Sequence, residues 1–197
     1  MADSKEKGKI RVLSGRHRGR SVPSVPSSGI RPVKSLIRER VFAWLNHLTP
    51  VDDPLVVDCF SGSGILSLEA LSRGASTVYS LEAQADVVDH LSQLALQFKE
   101  PSWQAIQWRF PDALPNSLLT TLAPDIVFWD PPYQLCSVTE GLEWLSSAFS
   151  LKKGCLVYCE QDKSDTWPLD DKFITCRVAV HGRIRFGVLM FRGCGDV

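Results

Sequence analysis

The sequence predicts an α/β domain: a mostly parallel sheet with helices on both faces, a C-terminal antiparallel hairpin, and a small basic N-terminal extension. Three observations carry this. From residue 54 onward, short apolar runs alternate with segments of helical period. Glycines and prolines punctuate the joints between them. The last two runs, 172–180 and 184–191, follow each other with only a short turn between them, as antiparallel neighbours do.

Taken in order, residues 1–9 are polar and carry no pattern. Residues 10–13 have strand character, and 15–20 (GRHRGR) form a basic turn or hairpin. Residues 21–34 hold Pro23, Pro26, Gly29 and Pro32 among serines and read as an irregular linker. Ser35 is placed to cap a helix running to about His47, with Leu36, Val41, Trp44, Leu45 and Leu48 as its apolar stripe. A buried strand follows over 55–60, then the tight loop Ser61-Gly62-Ser63-Gly64, then a helix over 65–72 stopped by Gly74. Strand 77–82, helix 85–99, and strands 104–108 and 125–130 come next, followed by helix 137–149 and strand 154–160. The division expected is a basic arm and linker over 1–34 and one α/β domain over 35–197.

Charge is zero overall but uneven. Residues 1–40 carry eleven Lys or Arg against three acids; the remainder carries eleven against nineteen. A basic arm on a mildly acidic body suits a polyanionic partner. No apolar run approaches the length of a membrane span, and the first residues lack the apolar core of a secretory signal, so a cytoplasmic protein is expected. Six cysteines, at 59, 136, 155, 159, 176 and 194, form no paired CxxC motif and lie partly in apolar runs. They read as free thiols, with neither a metal nor a disulfide framework implied.

Three acids fall at strand ends: Asp58, Glu82 and Asp130. In open α/β sheets ligands bind outside the carboxyl ends of the strands. Asp58 opens the stretch acid-x-x-x-G-x-G, in which Gly62 and Gly64 let the backbone turn and the following helix directs free N–H groups at the same spot. The third glycine of a dinucleotide fingerprint is missing. An acid beside amide donors matches the ammonium and carboxylate of S-adenosylmethionine better than a pyrophosphate. Glu82, 18 residues beyond Gly64, is placed to accept hydrogen bonds from a ribose. Asp130-Pro131-Pro132-Tyr133 ends an apolar strand. Two prolines fix φ twice and remove two N–H donors, so the loop offers acceptors only. Acceptors without donors suit a target amine, and Tyr133 offers a face for an extruded base.

Together these stretches resemble the Rossmann-like class I S-adenosylmethionine-dependent methyltransferases that modify exocyclic amines. More closely, the chain resembles the RsmD family, which methylates guanine N2 in 16S ribosomal RNA of the small subunit. The resemblance rests on RVLSGRHRGR at 11–20, Arg31-Pro32, Arg38-Glu39, Phe42, Trp44-Leu45, DCFSGSGILSLEALSRGA at 58–75, Glu82, Asp112-Ala113 and DPPY at 130–133. It implies S-adenosylmethionine as cofactor, with Asp58, Ser61, Gly62 and Gly64 around its methionine part, Glu82 on the ribose and Asp112 facing the adenine amine. It implies Asp130 and the Pro131 carbonyl on the guanine amine, with Tyr133 stacking on the base. Arg11, Arg16, Arg18, Arg20, Arg31 and Arg38 would contact RNA, either free 16S RNA or RNA within an assembled small subunit. A monomer without metal is expected. Where that family carries Thr-x-Asp-Arg, this chain has Val33-Lys34-Ser35-Leu36. Alternatives on the residues alone are a DNA adenine-N6 or cytosine-N4 methyltransferase, a small-molecule methyltransferase, and a non-catalytic nucleic-acid-binding module.

Overall fold

The computed structural model describes residues 9–23, 25, 32–49, 51–115, 120–132, 135–168 and 170–193. The elements are β1 (Ile10–Arg11), β2 (Ser21–Val22), α1 (Ser35–Leu48), β3 (Leu55–Asp58), α2 (Ile65–Ser72), β4 (Thr77–Glu82), α3 (Ala85–Phe98), β5 (Trp103–Gln107), β6 (Ile126–Trp129), α4 (Val138–Ala148), β7 (Leu156–Asp162), β8 (Phe173–His181) and β9 (Ile184–Phe191).

The main sheet runs β5-β4-β3-β6-β7-β9-β8. Strands β3 to β7 pair in parallel, and β9 pairs antiparallel to both β7 and β8. The chain starts centrally at β3, builds outward through β4 and β5, then crosses to β6. That reversal opens a crevice at the carboxyl ends of β3 and β6, the usual ligand position in such sheets.

Side chains alternate across the sheet with the strand period. Val56, Val78, Ile126, Phe128, Leu156 and Tyr158 face a core shared with α1, α2 and α3. Val57, Leu81, Val127, Trp129, Val157 and Cys159 face a second core under α4. With both faces covered, the central strands are apolar throughout, which is why they stood out in the sequence.

The basic turn is a hairpin: Ile10 pairs with Val22 and Arg11 with Ser21. Residues 21 and 22, expected in the linker, are therefore a strand. Val12 and Val22 enter the same core as α1 to α3. The hairpin docks on the end of α2, where the Arg16 amide bonds the Ser72 carbonyl at 2.8 Å and the His17 amide bonds Ser72 Oγ at 2.9 Å. Gly15 makes this approach possible: its φ is +79°, and a Cβ there would sit 1.7 Å from the Ser72 carbonyl oxygen.

Helix α1 corrects two expectations. Ser35 lies inside the helix and Lys34 takes the cap position without a side-chain hydrogen bond. The buried stripe is Ile37, Arg38, Val41, Phe42 and Leu45, while Leu36 is 48% exposed. The helix is rotated because Arg38 faces inward onto an acid, which a hydrophobic pattern does not register. Cys59, Cys136, Cys155, Cys159 and Cys176 are free thiols; Cys194 lies outside the described residues. Among the described residues no helix is long and apolar enough to cross a membrane.

Candidate active site

Asp58 ends β3 and is buried, its carboxylate accepting a 2.6 Å hydrogen bond from Ser67 Oγ on α2. Behind it Ser67 pairs with Ser80 Oγ at 2.7 Å, and Trp103 Nε1 donates to Ser80 at 2.8 Å. This chain of hydroxyls runs across β3, β4 and β5 and fixes the carboxylate. Burial, followed by the nearby Glu82 charge, pushes the Asp58 carboxyl up to about 7, against the pull of its serine hydrogen bonds.

The loop after β3 closes on itself: Ser61 Oγ donates to the Asp58 carbonyl at 2.8 Å, and the Gly64 amide donates to the Ser61 carbonyl at 2.8 Å. Gly62 and Gly64 have φ of 48° and 72°. A Cβ on Gly64 would lie 2.5 Å from Leu91 Cδ2, so the loop seats against α3 only without one. Glu82, at the end of β4, gathers this loop. Its carboxylate accepts from the Gly62 amide at 3.0 Å, the Ala83 amide at 2.7 Å and the Gln84 amide at 3.2 Å.

Beyond the ends of β4 and β5 lies a cavity of about 300 Å³, bounded by Ala83, Gln107, Trp108, Arg109, Asp112 and Ala113. Asp112 is exposed, and Trp108 Nε1 donates to its carbonyl at 2.9 Å, holding the loop against the indole.

Asp130 follows β6 and is half-buried. Burial, then the charges of Glu160 and Asp58, hold its carboxyl well above the usual carboxylate range. Trp129 stands opposite Cys159 in the β6–β7 ladder, so Asp130 and Glu160 are the next residues in register. Glu160 is raised too, chiefly by burial, and the Tyr158 hydroxyl donates to it. Pro131, Pro132, Val138, Glu160 and Gln161 line a cleft of about 560 Å³.

The structure thus brings Asp58, Ser61, Gly62, Gly64, Glu82, Asp130 and Pro131 to one edge of the sheet, with Asp112 at its flank. Tyr133 and Arg31 lie outside the described residues. Of the arginines expected on RNA, Arg11, Arg18 and Arg20 are exposed. Arg16 is committed to Glu100 through two hydrogen bonds of 2.8 and 2.5 Å, though half its side chain stays exposed. Arg38 is corrected: at 2% exposure it faces Glu69 and donates to the carbonyls of Arg11 and Val33, so it cannot reach a phosphate. Sequence reasoning missed Glu160, which lies in β7 two residues before its end, level with the point where β6 gives way to Asp130.

The chain matches the family described as Conserved hypothetical protein 95 over residues 10–186. It is 32% identical over 164 residues to Ribosomal RNA small subunit methyltransferase D of Haemophilus influenzae, covering 80% of this chain and 81% of that one. With the Escherichia coli K12 protein of the same name it shares 31% over 161 residues, covering 82% and 79%. Among solved structures, a putative methyltransferase from Escherichia coli superposes with a TM-score of 0.78 at 29% identity, covering 94% of this chain and 99% of that one. The chain belongs to the Conserved hypothetical protein 95 family, the RsmD family, and has the Rossmann-like fold of class I S-adenosylmethionine-dependent methyltransferases.

Proposed function

We propose that this protein transfers a methyl group from S-adenosylmethionine to the exocyclic N2 amine of a guanine in small-subunit 16S ribosomal RNA. The observation that carries this reading is the placement of Asp130 at the end of β6, beside a cleft that Pro131, Pro132 and Glu160 line, and one strand away from Asp58 and the glycine loop. The relatives named as small-subunit ribosomal RNA methyltransferases point to the substrate class.

The residues present fit the cofactor. Asp58 offers a fixed carboxylate to an ammonium, and the glycine turn, folded on itself by the Gly64 amide and gathered by Glu82 through the Gly62 amide, lets backbone approach the ligand closely. Glu82 stands where ribose hydroxyls would compete with amides for its oxygens. The flat-walled cavity beside Trp108 and Asp112 has room for a purine. When bound, the cofactor supplies an electrophilic methyl group. The chain supplies alignment, which is worth up to about 7–11 kcal/mol of a barrier. Asp130 and the Pro131 carbonyl accept hydrogen bonds from the amine, leaving the nitrogen lone pair free; Asp130 stabilises the positive charge that develops there, and the proton the methylated amine must shed goes to Asp130 or to water. Tyr133 stacks on the base. The arm over 1–34 holds phosphates, in a cytoplasmic monomer that needs no metal.

Methyl-transfer assays on naked 16S RNA, assembled small subunits and DNA test the proposal. N2-methylguanine in ribosomal RNA is the expected product. Methylation of DNA alone, or of no nucleic acid, would overturn it.

Asp58 sets a pH dependence. Its ionised form pairs with an ammonium, so cofactor affinity should rise about tenfold from pH 6 to pH 8 as the group ionises around 7. Asp58→Asn should bind more weakly and without that slope. Calorimetry at three pH values measures this, and a flat wild-type profile removes Asp58 from the cofactor contacts. For the protein alone the sign is opposite: a raised acid binds its proton more tightly folded than unfolded. Its contribution to stability therefore declines as pH rises from 3.8 to about 7.

Arg18 sits in the exposed hairpin turn. Arg18→Ala should reduce the slope of log affinity for RNA against log salt by about 0.7–0.9, one phosphate contact. Filter binding between 50 and 200 mM salt reads it, and an unchanged slope leaves Arg18 off the RNA.

A further inference from the structure

We propose that Glu160 is the residue that selects guanine, its carboxylate accepting the N1–H of the target base while Asp130 and the Pro131 carbonyl hold the N2 amine. This rests on the guanine-N2 reading above and goes beyond it by assigning the discrimination between bases to one side chain.

Four observations converge. First, Glu160 follows Cys159 on β7 as Asp130 follows Trp129 on the neighbouring β6, so the two carboxyls stand side by side. Neighbouring strands are about 4.8 Å apart, close enough for two side chains to meet one base edge. Second, Glu160 lines the same cleft as Pro131 and Pro132. Third, it is oriented from behind. The Tyr158 hydroxyl, on a fully buried ring, donates to Glu160 Oε1, and Oε2 makes no hydrogen bond among the described residues. Lys34 faces Glu160 from the segment before α1 and favours its charged form. Fourth, the transfer itself needs only one carboxylate beside the amine, and a second raises the cost of ionising either. A ligand that brings two adjacent donors relieves that repulsion.

Guanine brings them. Its Watson–Crick edge places the N1–H donor beside the N2 amine. Adenine places a lone pair at N1 beside its N6 amine, and cytosine places one at N3 beside its N4 amine. Either lone pair would face the Glu160 carboxylate and be repelled. A site with buried acceptors rejects an analogue lacking the matching donor far more strongly than an apolar pocket rejects a change of shape. The predicted selectivity therefore comes from the N1 position rather than from the amine being methylated.

The test keeps the amine and changes N1. Small subunits are reconstituted with 16S RNA carrying, at the mapped target position, either guanine or 2-aminopurine, which retains the N2 amine but has a lone pair at N1. Wild-type protein should prefer guanine by about 100-fold or more in kcat/KM. Glu160→Gln is isosteric and can turn its amide N–H toward N1. It should lose at least about tenfold on guanine, and its preference should collapse to within a few fold or invert. Unchanged affinity for S-adenosylhomocysteine shows that the variant is folded. Tyr158→Phe, which frees Glu160 from its anchor, should reduce the preference in part. A Glu160→Gln protein that keeps the wild-type preference, or a wild-type protein that methylates both bases alike, overturns the assignment. Chromatography of the product nucleosides separates this from failure of the underlying reading: N2-methylguanosine from wild type with an unchanged Glu160→Gln preference sinks only the role of Glu160. A wild-type product other than N2-methylguanosine sinks both.

Discussion

Asp130→Ala is expected to bind S-adenosylmethionine as tightly as the wild type and to lose turnover by two orders of magnitude or more. The two effects separate because of where the side chain stands. Cofactor contacts are assigned to Asp58, the glycine loop, Glu82 and the cavity beside Asp112, all on the β3–β4–β5 side of the crevice. Asp130 belongs to the β6–β7 side, and the proposal gives it the amine alone. Removing one acceptor aimed at developing charge costs about 10²–10³ in rate, and losing a proton acceptor a similar factor. Asp130→Asn divides the two roles. It keeps an oxygen for the amine and cannot take a proton, so partial activity assigns Asp130 to positioning and none assigns it to proton acceptance. The sign of the pH dependence follows from the raised carboxyl. Only the ionised acid can take the amine's proton or balance its developing charge, so kcat/KM should climb with pH above the ordinary carboxylate range, and the climb should vanish in Asp130→Asn. Calorimetry for the cofactor and single-turnover kinetics for the transfer measure both halves. Normal turnover in Asp130→Ala would end the proposed mechanism.

Why the edge of the sheet was legible, and its depth was not, has a physical explanation. The bounds of α2 and β4 match the expectation because local chemistry sets them: positive-φ glycines at 62 and 64 start one, and Gly74 separates the two. Asp58, Glu82 and Asp130 were found because each is followed by glycine, a helix or prolines that break the strand. Glu160 escaped although the expected strand 154–160 ended on it: no glycine or proline follows to break the strand, and β7 continues to Asp162 while its neighbour β6 has already ended. Arg38 was misassigned for a related reason. A basic residue in a basic segment reads as solvent-facing, and only tertiary packing reveals Glu69 beneath it. Lateral strand order depends on crossovers between residues far apart in sequence, so insertion of β9 between β7 and β8 has no local signature. The raised carboxyl of Asp58 is likewise a property of burial, invisible in a list of residues.

Glu69→Ala is expected to destabilise the protein by about 3–5 kcal/mol, because it strips a buried cation of its counter-charge. Glu69 is fully buried on α2. Its two oxygens hold the Leu13 amide at 2.6 Å and Arg73 Nε at 3.2 Å, with Arg38 Nε 4.0 Å away. Arg38 in turn donates to the Arg11 carbonyl at 2.9 Å and the Val33 carbonyl at 3.3 Å. One acid therefore ties the hairpin to α1 and α2 at once. Without it, Arg38 keeps a charge at 2% exposure that burial already disfavours. The loss is a large share of the roughly 5–15 kcal/mol that such domains possess, and the midpoint of thermal unfolding should fall by about 10 °C. Adding Arg38→Met should recover much of the loss, since an apolar side chain of similar length needs no partner there. A single Glu69→Ala variant within about 1 kcal/mol of wild type in urea unfolding would show that the carboxylate is not what holds Arg38. The consequence reaches function through the hairpin. Arg18 and Arg20 sit at its exposed turn, whose docking Glu69 and Ser72 share with Glu100, which holds Arg16 and His17. Trypsin should therefore cut Glu69→Ala at these arginines faster than wild type, at temperatures where both remain folded. Weaker RNA binding with an unchanged salt slope should accompany it, because the phosphate contacts survive and only the cost of ordering them is added.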